Sequence, residues 1–335
     1  MKLEKFSGEL TANMNLTILV YGWYNQGNLG DDLFVDAFKS IFPNFNFIFT
    51  DHIESKHLQN IDGVFFGGGS FLGEPLKISD DIAFSLLKQQ KIMYIGVGGE
   101  TDIHSTHKQL LPLAKLIALR SGVNFDIIKQ INANTIVIPD LVYALEAPAV
   151  LSKIPKSILY IPNILVIPKW DEPHWKHAAW DYFKIEIAQV LDTYLQDNYT
   201  VNFLPFCING KLNDYNAAAE ISNRMNKLNG KPILDRPNDA KSALETISKY
   251  DIVITQRFHG TILAEMVGTP CLTIHHHDKL KHSTGARISY YSSSKSYLIE
   301  EINKLLSIKV NTILPIESNI FITLKQKVEY ALCRN

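Results

Sequence analysis

At 335 residues the chain is about twice the length of an average domain of ~150 residues, so two domains are expected. Hydrophobic residues make up 46% and charged residues 20%, an ordinary globular balance with enough apolar surface for sizeable cores. The formal net charge of −1 excludes a general attraction to nucleic acid or anionic lipid, so any anion binding must come from a local cluster of basic residues.

The three cysteines, Cys207, Cys271 and Cys333, are odd in number and widely spaced, which excludes a disulfide framework and a zinc ribbon. Residues 1–15, MKLEKFSGELTANMN, lack the long apolar core and small-residue cleavage pattern of a signal peptide. The longest apolar runs, such as LTILVY at 16–21, fall far below the roughly 20 residues of a membrane span. A soluble, reduced, cytoplasmic protein is the expectation.

Short apolar runs alternate with amphipathic stretches along the whole chain. In the first half, runs at 16–21, 45–50, 63–66, 92–97, 116–119 and 135–138 read as strands, with helical patterns at 31–41, 82–90 and 124–131. Continuous apolar strands separated by helices indicate a parallel sheet covered on both faces. The pattern restarts after a Pro-punctuated stretch at 147–157. Strands SILYIP, TVNFLPF, PIL, DIVITQ and PCLTIH then alternate with helices near 173–196, 213–228, 238–249 and 260–267. The expected fold class is α/β, with two Rossmann-like domains facing across a cleft in the arrangement called GT-B. Residues 1–150 would form the first domain and 151–315 the second. A closing helix near 318–332, within 316–335, is a candidate to pack back onto the first domain. There is no short-period repeat and no low-complexity tract.

Open parallel sheets bind ligands beyond the carboxyl ends of their strands, and unusual residues gather there. After the first strand comes YGWYNQGNLGDDLF, where Gly27 and Gly30 permit tight turns and Asp31 or Asp32 can cap the following helix. That helix start would present free N–H groups to a ligand. The loop is neither the GxGxxG fingerprint nor a P-loop, and a plain βα turn capped by Asp is the alternative. After the third strand comes FFGGGSFLGEP, with Gly68 and Gly69 placed to let a ligand or a facing domain approach the backbone. The fourth strand ends similarly in GVGGE, which includes Gly98. Arg120 follows the fifth strand and Asp140 the sixth. The first reads equally as anion clamp or surface residue, the second equally as turn-capping or catalytic.

The second half carries the sharper signal, DIVITQRFHGTILAEMVGTPCLTIHHHDK at 251–279. A buried strand delivers Arg257, Phe258 and His259 onto a helix start, and the carboxyl end of the next strand carries His275, His276, His277 and Lys279. Arg and Lys suit a phosphate and a carboxylate, and His gives or takes a proton near neutral pH.

Together these segments resemble the polysaccharide pyruvyl transferase family. The likeness lies in a GN-x-GD loop (Gly27, Asn28, Gly30, Asp31), a glycine triplet (Gly67 to Gly69) and a second glycine-rich turn (Gly96 to Gly99). It continues with Arg120, with Asp140 before Tyr143, and with an R-x-H helix start followed by G-x-P and a Lys (Arg257, His259, Gly268, Pro270, Lys279). The match runs over roughly residues 17–280 in the family's order. The resemblance implies transfer of the pyruvyl unit of phosphoenolpyruvate to two hydroxyls of a sugar in a surface polysaccharide or its lipid-linked precursor, giving a cyclic ketal and phosphate. It also implies that Arg120, His259 and Lys279 contact the phosphoenolpyruvate. Catalytic roles then fall to His259 as proton donor, Asp31 (or Asp32) as the carboxylate that activates the acceptor, and Arg257. Substrate binding falls to Arg120, Lys279, Asn28, Gly30, Gly68, Gly69, Gly98 and Asp140. The segment His275 to Asp278, ahead of Lys279, departs from the family pattern of an aromatic and small residues.

Two other classes compete with this reading. A GT-B glycosyltransferase using a nucleotide-sugar donor would share the fold, and a non-catalytic glycan-binding or scaffold protein would release no phosphate from phosphoenolpyruvate. Metal binding by His275, His277 and His282, or by the i,i+3 pairs His104/His107 and His174/His177, lacks an acidic or cysteine partner, so no metal or other cofactor is expected. Trp23, Tyr24 and Trp170 could stack on sugar rings or simply pack. Nucleic acid is excluded as a partner, transient contact with the inner membrane face is expected from the acceptor alone, and the oligomeric state is not legible.

Overall fold

A computed structural model describes residues 15–99, 102–148, 152–210, 212–226, 233–275, 286–307 and 319–333. These fall into two compact units. The first takes the described residues within Met1–Asn25, Phe34–Leu145 and Ile316–Asn335; the second takes those within Gln26–Leu33 and Glu146–Pro315. A single cut near residue 150 therefore does not describe the division. The GN-x-GD loop, expected in the first domain, groups with the second unit, and the C-terminal segment groups with the first.

The first unit holds six parallel strands: β1 (Thr17–Tyr21), β2 (Asn46–Thr50), β3 (Gly63–Gly69), β4 (Ile92–Val97), β5 (Leu116–Leu119) and β6 (Thr135–Val137). Their order is β2-β1-β3-β4-β5-β6. The central strands VFF, IMYI and LIAL are buried at every position, which is why they read as unbroken apolar runs. Helices α1 (Leu29–Ile41), α2 (Asp81–Leu87), α3 (Ser105–Leu110) and α4 (Phe125–Ile131) connect them. In α1, Phe34, Ala37, Phe38 and Ile41 recur at helical spacing and are all buried. Phe38 meets Phe42, Phe47, Phe49 and Phe65 in one aromatic cluster on the sheet.

The histidine pair His104/His107 divides between two structural tasks. His104 caps α3, its Nδ1 accepting from Thr106 N at 3.3 Å. His107 lies in the core at 0% exposure, its Nδ1 3.1 Å from Tyr94 Oη and its ring between Phe66 and Phe71. Burial pushes its pKa from 6.5 down to about 4. The unfolded chain takes up a proton at this residue near pH 6.5, whereas the folded chain holds it neutral down to about 4. Stability is therefore expected to fall as pH drops through that window, by up to about 3 kcal/mol. Urea unfolding of the full chain at stepped pH values checks this: the slope between those limits should flatten in His107→Gln, and an unchanged slope would assign it elsewhere.

The second unit builds a five-stranded parallel sheet from β7 (Ser157–Ile161), β8 (Thr200–Phe203), β11 (Ile252–Thr255), β12 (Cys271–His275) and β13 (Ala286–Ser289), in the order β13-β12-β11-β7-β8. A short antiparallel pair, β9 (Ile208–Asn209) and β10 (Leu212–Asn213), lies outside it. Helices α5 (His174–Gln196), α6 (Asp214–Ser222), α7 (Ala240–Ser248), α8 (Phe258–Met266) and α9 (Lys295–Ser307) complete the unit. The run expected as a strand at 232–234 contributes a single bridge, Ile233 to Phe203. Conversely β13 and α9 have no counterpart in the sequence reading, because an edge strand reading ARIS carries polar residues where a central strand would be apolar. The last helix, α10 (Asn319–Cys333), belongs to the first unit, where Lys91 Nζ donates to Leu332 O at 2.5 Å.

Both sheets reverse strand direction of growth at one place, between β1 and β3 in the first and between β7 and β11 in the second. Doubly wound sheets bind ligands beyond the carboxyl ends of the strands at such a switch point. Among the described residues no helix is long and apolar enough to cross a membrane.

Candidate functional site

The carboxyl end of β11 is where the apolar run stops and chemistry begins. Ile252 to Thr255 are fully buried, then Gln256, Arg257, Phe258 and His259 lead into α8. The turn is tight because residue 260 is glycine: a Cβ there would stand 2.3 Å from Thr255 Oγ1. Thr255 Oγ1 accepts from Arg257 N at 3.0 Å and thereby fixes the residue before the helix. Gln256 ties the two switch-point strands together, its Oε1 accepting from Tyr160 Oη at 3.0 Å and from Asn163 N at 3.3 Å.

Asp214, at the start of α6, is the hub of this edge and has 0% exposure. Its carboxylate accepts from Ile164 N at 2.8 Å, Phe206 N at 3.1 Å and Cys207 N at 2.8 Å. Arg257 completes the set in bidentate fashion, through Nε at 3.1 Å and through Nη2. Arg257, a catalytic candidate from the sequence, is thus paired with a buried carboxylate. Its clearest task is to hold the loops after β7 and β8 against the start of α8.

The GN-x-GD loop is laid alongside the segment after β8. Leu29 N donates to Phe206 O at 2.8 Å and Ile208 N donates to Gly27 O at 2.9 Å, so Asn28 and Cys207 form an antiparallel bridge. Asn28 O accepts from Asp31 N and Asp32 N, and its side-chain amide donates to the Asp31 carboxylate. Asp32 is paired with Arg236, Nη2 to Oδ2 at 2.6 Å, and Arg236 Nε also donates to Phe206 O at 3.2 Å. This docking sets Gly30 against His259. A Cβ on Gly30 would lie 2.4 Å from His259 Nδ1, so only glycine leaves room for the ring.

Asn28, Gly30, Asp31, Arg257 and His259 thus come together in one unit although about 230 residues of sequence separate the loop from the helix start. His259 is 6% exposed and lies in the first turn of α8, at the positive end of the helix dipole. An imidazole so placed can move a proton beside a bound anion. Of the two acidic candidates, Asp32 pairs with Arg236 and Asp31 receives the Asn28 side-chain amide. Lys279, with His276, His277 and His282, lies outside the described residues.

The first unit's rim is knit together differently. Gly98 N donates to Gly69 O at 2.9 Å, joining the two glycine-rich turns. Gly68 and Gly69 have φ of +69° and +102°, and a Cβ on Gly68 would meet the Phe34 ring at 2.4 Å. Gly67 similarly abuts Phe38. At Gly68 it is the Phe34 ring of helix α1 that approaches the backbone. Arg120 reaches Asp140 at 3.3 Å and Ser70 Oγ at 2.5 Å, and both members of the ion pair are buried. Asp140 also caps the turn after it, accepting from Val142 N at 3.1 Å. Arg120 and Asp140 are therefore partners of each other, which the sequence spacing of twenty residues did not disclose.

Sequence reasoning missed Asp214 and Arg236. The only local trace of Asp214 is the Asn213-Asp214 pair at a helix start, where Asn213 is the cap. Arg236 sits in LDRPND, a turn-rich stretch with no periodic signal. Of the candidate stacking aromatics, Tyr24 is buried with its hydroxyl donating to Gly67 O, whereas Trp23 is 43% and Trp170 92% exposed.

Against known proteins, the sequence model of the family described as polysaccharide pyruvyl transferase matches residues 28–278. No curated protein sequence matches the chain. Among solved structures, the UDP-GlcNAc 2-epimerase from Methanocaldococcus jannaschii is 8% identical, with a TM-score of 0.57 over 95% of this chain and 100% of that one. The UDP-GlcNAc 2-epimerase from Neisseria meningitidis bound to UDP-GlcNAc is 10% identical, with a TM-score of 0.56 over 94% and 99%. HepE from Anabaena in complex with UDP-glucose is 11% identical, with a TM-score of 0.53 over 95% and 99%. At such identities the likeness concerns the fold, which is of the GT-B type with two Rossmann-like domains.

Proposed function

The chain belongs to the polysaccharide pyruvyl transferase family and is a transferase; from that premise we propose that it moves the pyruvyl unit of phosphoenolpyruvate onto two hydroxyls of a sugar. The observation that carries the proposal is the seating of His259 at the start of α8 against Gly30 of the GN-x-GD loop. Two motifs that match the family's order far apart in sequence meet at His259, a group able to move a proton.

In the proposed reaction a proton is added to the methylene carbon of phosphoenolpyruvate, and a sugar hydroxyl attacks the resulting oxocarbenium-like centre and loses its own proton. The C–O bond to phosphate then breaks, and a second hydroxyl closes the ketal ring as its proton departs. His259 supplies a proton to the donor or its leaving phosphate. Asp31, positioned by Asn28, accepts a proton from the acceptor. Arg257 orients His259 through its pairing with Asp214, while the resemblance assigns Arg120 and Lys279 to the donor's carboxylate and phosphate. Substrate-binding roles are proposed for Asn28, Gly30, Gly68, Gly69, Gly98 and Asp140.

The acceptor class is a sugar of a surface polysaccharide or its lipid-linked precursor. That chemistry fits a cytoplasmic protein touching the inner membrane face only transiently. Thermal shift of the full chain with phosphoenolpyruvate, against a panel of nucleotide sugars, tests the reading. A rise in Tm with phosphoenolpyruvate is expected, followed by acceptor-dependent phosphate release. Stabilisation by a nucleotide sugar alone would replace the donor with that of a glycosyltransferase.

A further inference from the structure

Just beyond the edge strand β2, the sequence DHIESKHL folds so that His52, Glu54 and His57 face one another, with donor atoms all within 4.8 Å. We propose that these three residues form a binding site for a divalent transition cation of the zinc class. The sequence reading expects no metal.

Several features distinguish this group from a chance surface cluster. His52 Nε2 already lies 2.8 Å from Glu54 Oε1, close to the roughly 3.3 Å separating two ligand atoms on a tetrahedral zinc. The other ring nitrogen, Nδ1, lies 3.1 Å from Asp51 Oδ1, and Lys77 holds the second oxygen of Asp51 at 3.3 Å. A carboxylate behind an imidazole orients the ring, which is the outer support that zinc-binding histidines use, and a cation would replace the Nε2 proton between His52 and Glu54. Glu54 and His57 are mutually fixed as well. Glu54 caps the short helical turn Ser55–Leu58 by accepting from His57 N, while Glu54 N donates to His57 Nδ1 at 3.2 Å.

Three ligands within six residues cost little chain entropy to assemble. Two imidazoles and one carboxylate favour zinc, nickel or copper over magnesium or calcium, which take oxygen ligands. Lys56 also pairs with Glu54, at 2.7 Å, and it is 69% exposed, so it can swing away as the cation arrives. A bound ion would pin the loop after β2 at the carboxyl edge of the first sheet, where Gly22 N donates to Thr50 O at 3.0 Å.

Titration calorimetry of the metal-stripped full chain with zinc chloride tests the proposal, with cobalt absorption as the second readout. One saturable site is expected, with tetrahedral-type cobalt bands and no comparable heat from magnesium. His52→Ala and His57→Ala should each remove the site, while Asp51→Asn should weaken it by about 10–100-fold. His275→Ala/His276→Ala/His277→Ala should retain it, which separates the site from the histidine run near the carboxyl end of β12. No saturable zinc binding would overturn the proposal. So would binding that survives His52→Ala/His57→Ala, or that vanishes with the His275–His277 replacement alone.

Discussion

Replacing Asp214 by Ala should destabilise the second unit by about 3–5 kcal/mol, a large share of the stability of an ordinary domain. The carboxylate has 0% exposure and receives three backbone N–H groups and a bidentate guanidinium. Its removal strands all of those donors at once and leaves the Arg257 charge in a site built for an ion pair. For a unit of this size the midpoint of thermal unfolding should drop by roughly 10 °C. Urea unfolding followed by tryptophan fluorescence gives the free energy directly. A loss below about 1 kcal/mol would mean that water or another group takes over the acceptor role. The double variant Asp214→Leu/Arg257→Met should recover the part due to the unpaired charge and no more, because the backbone donors of Ile164, Phe206 and Cys207 remain without an acceptor.

Gly30→Ala should lower turnover on the order of a hundredfold with the fold retained, the typical effect of displacing a reacting group by about 1 Å. The added methyl would stand 2.4 Å from His259 Nδ1, closer than a Cβ approaches a non-bonded atom, so the ring or the loop has to move. The ring carries the proton in the proposed reaction, and the loop carries Asp31. His259→Ala is the companion variant, expected to reduce transfer to background while the far-ultraviolet circular dichroism stays native. If Gly30→Ala turned over normally, the contact would be a packing detail. If His259→Ala did so, proton donation would belong to another group. The proposed mechanism stands on Gly30→Ala lying between wild type and His259→Ala.

The repeated apolar runs were enough to read most of the sheet strands and the α/β class, because a strand buried on both faces has no freedom to be polar. Besides helix α9, the elements that escaped are those with weaker constraints. Strand β13 lies at a sheet edge, helix α3 is only six residues long, and the β9–β10 pair is two residues on each side. In each, side chains facing solvent dilute the periodicity on which any such reading depends.

The candidate site divides along the same line. That Arg257 and His259 stand at the end of a buried strand was legible, since the run IVIT ends abruptly in QRFH. Which charges remain open to a ligand was not. Arg120 and Arg257 look alike as cations beyond strand ends, yet each is paired with a carboxylate: Asp140 twenty residues later, and Asp214 forty-three residues earlier. The glycine triplet likewise signals close approach, but only the folded chain reveals that Phe34 and Phe38 are what approach.

By itself, then, the sequence determined the two parallel sheets, the helix start bearing His259 and the order of motifs that marks the family. These follow from local rules, since burial on both faces, glycine turns and caps act over a few residues. The tertiary structure alone decided that residues 26–33 join the second unit beside 206–208 and press Gly30 against His259, and that Asp214 pairs with Arg257. Pairings between distant segments depend on which buried donors lack a partner once the sheets have formed, and no local pattern of residues encodes that.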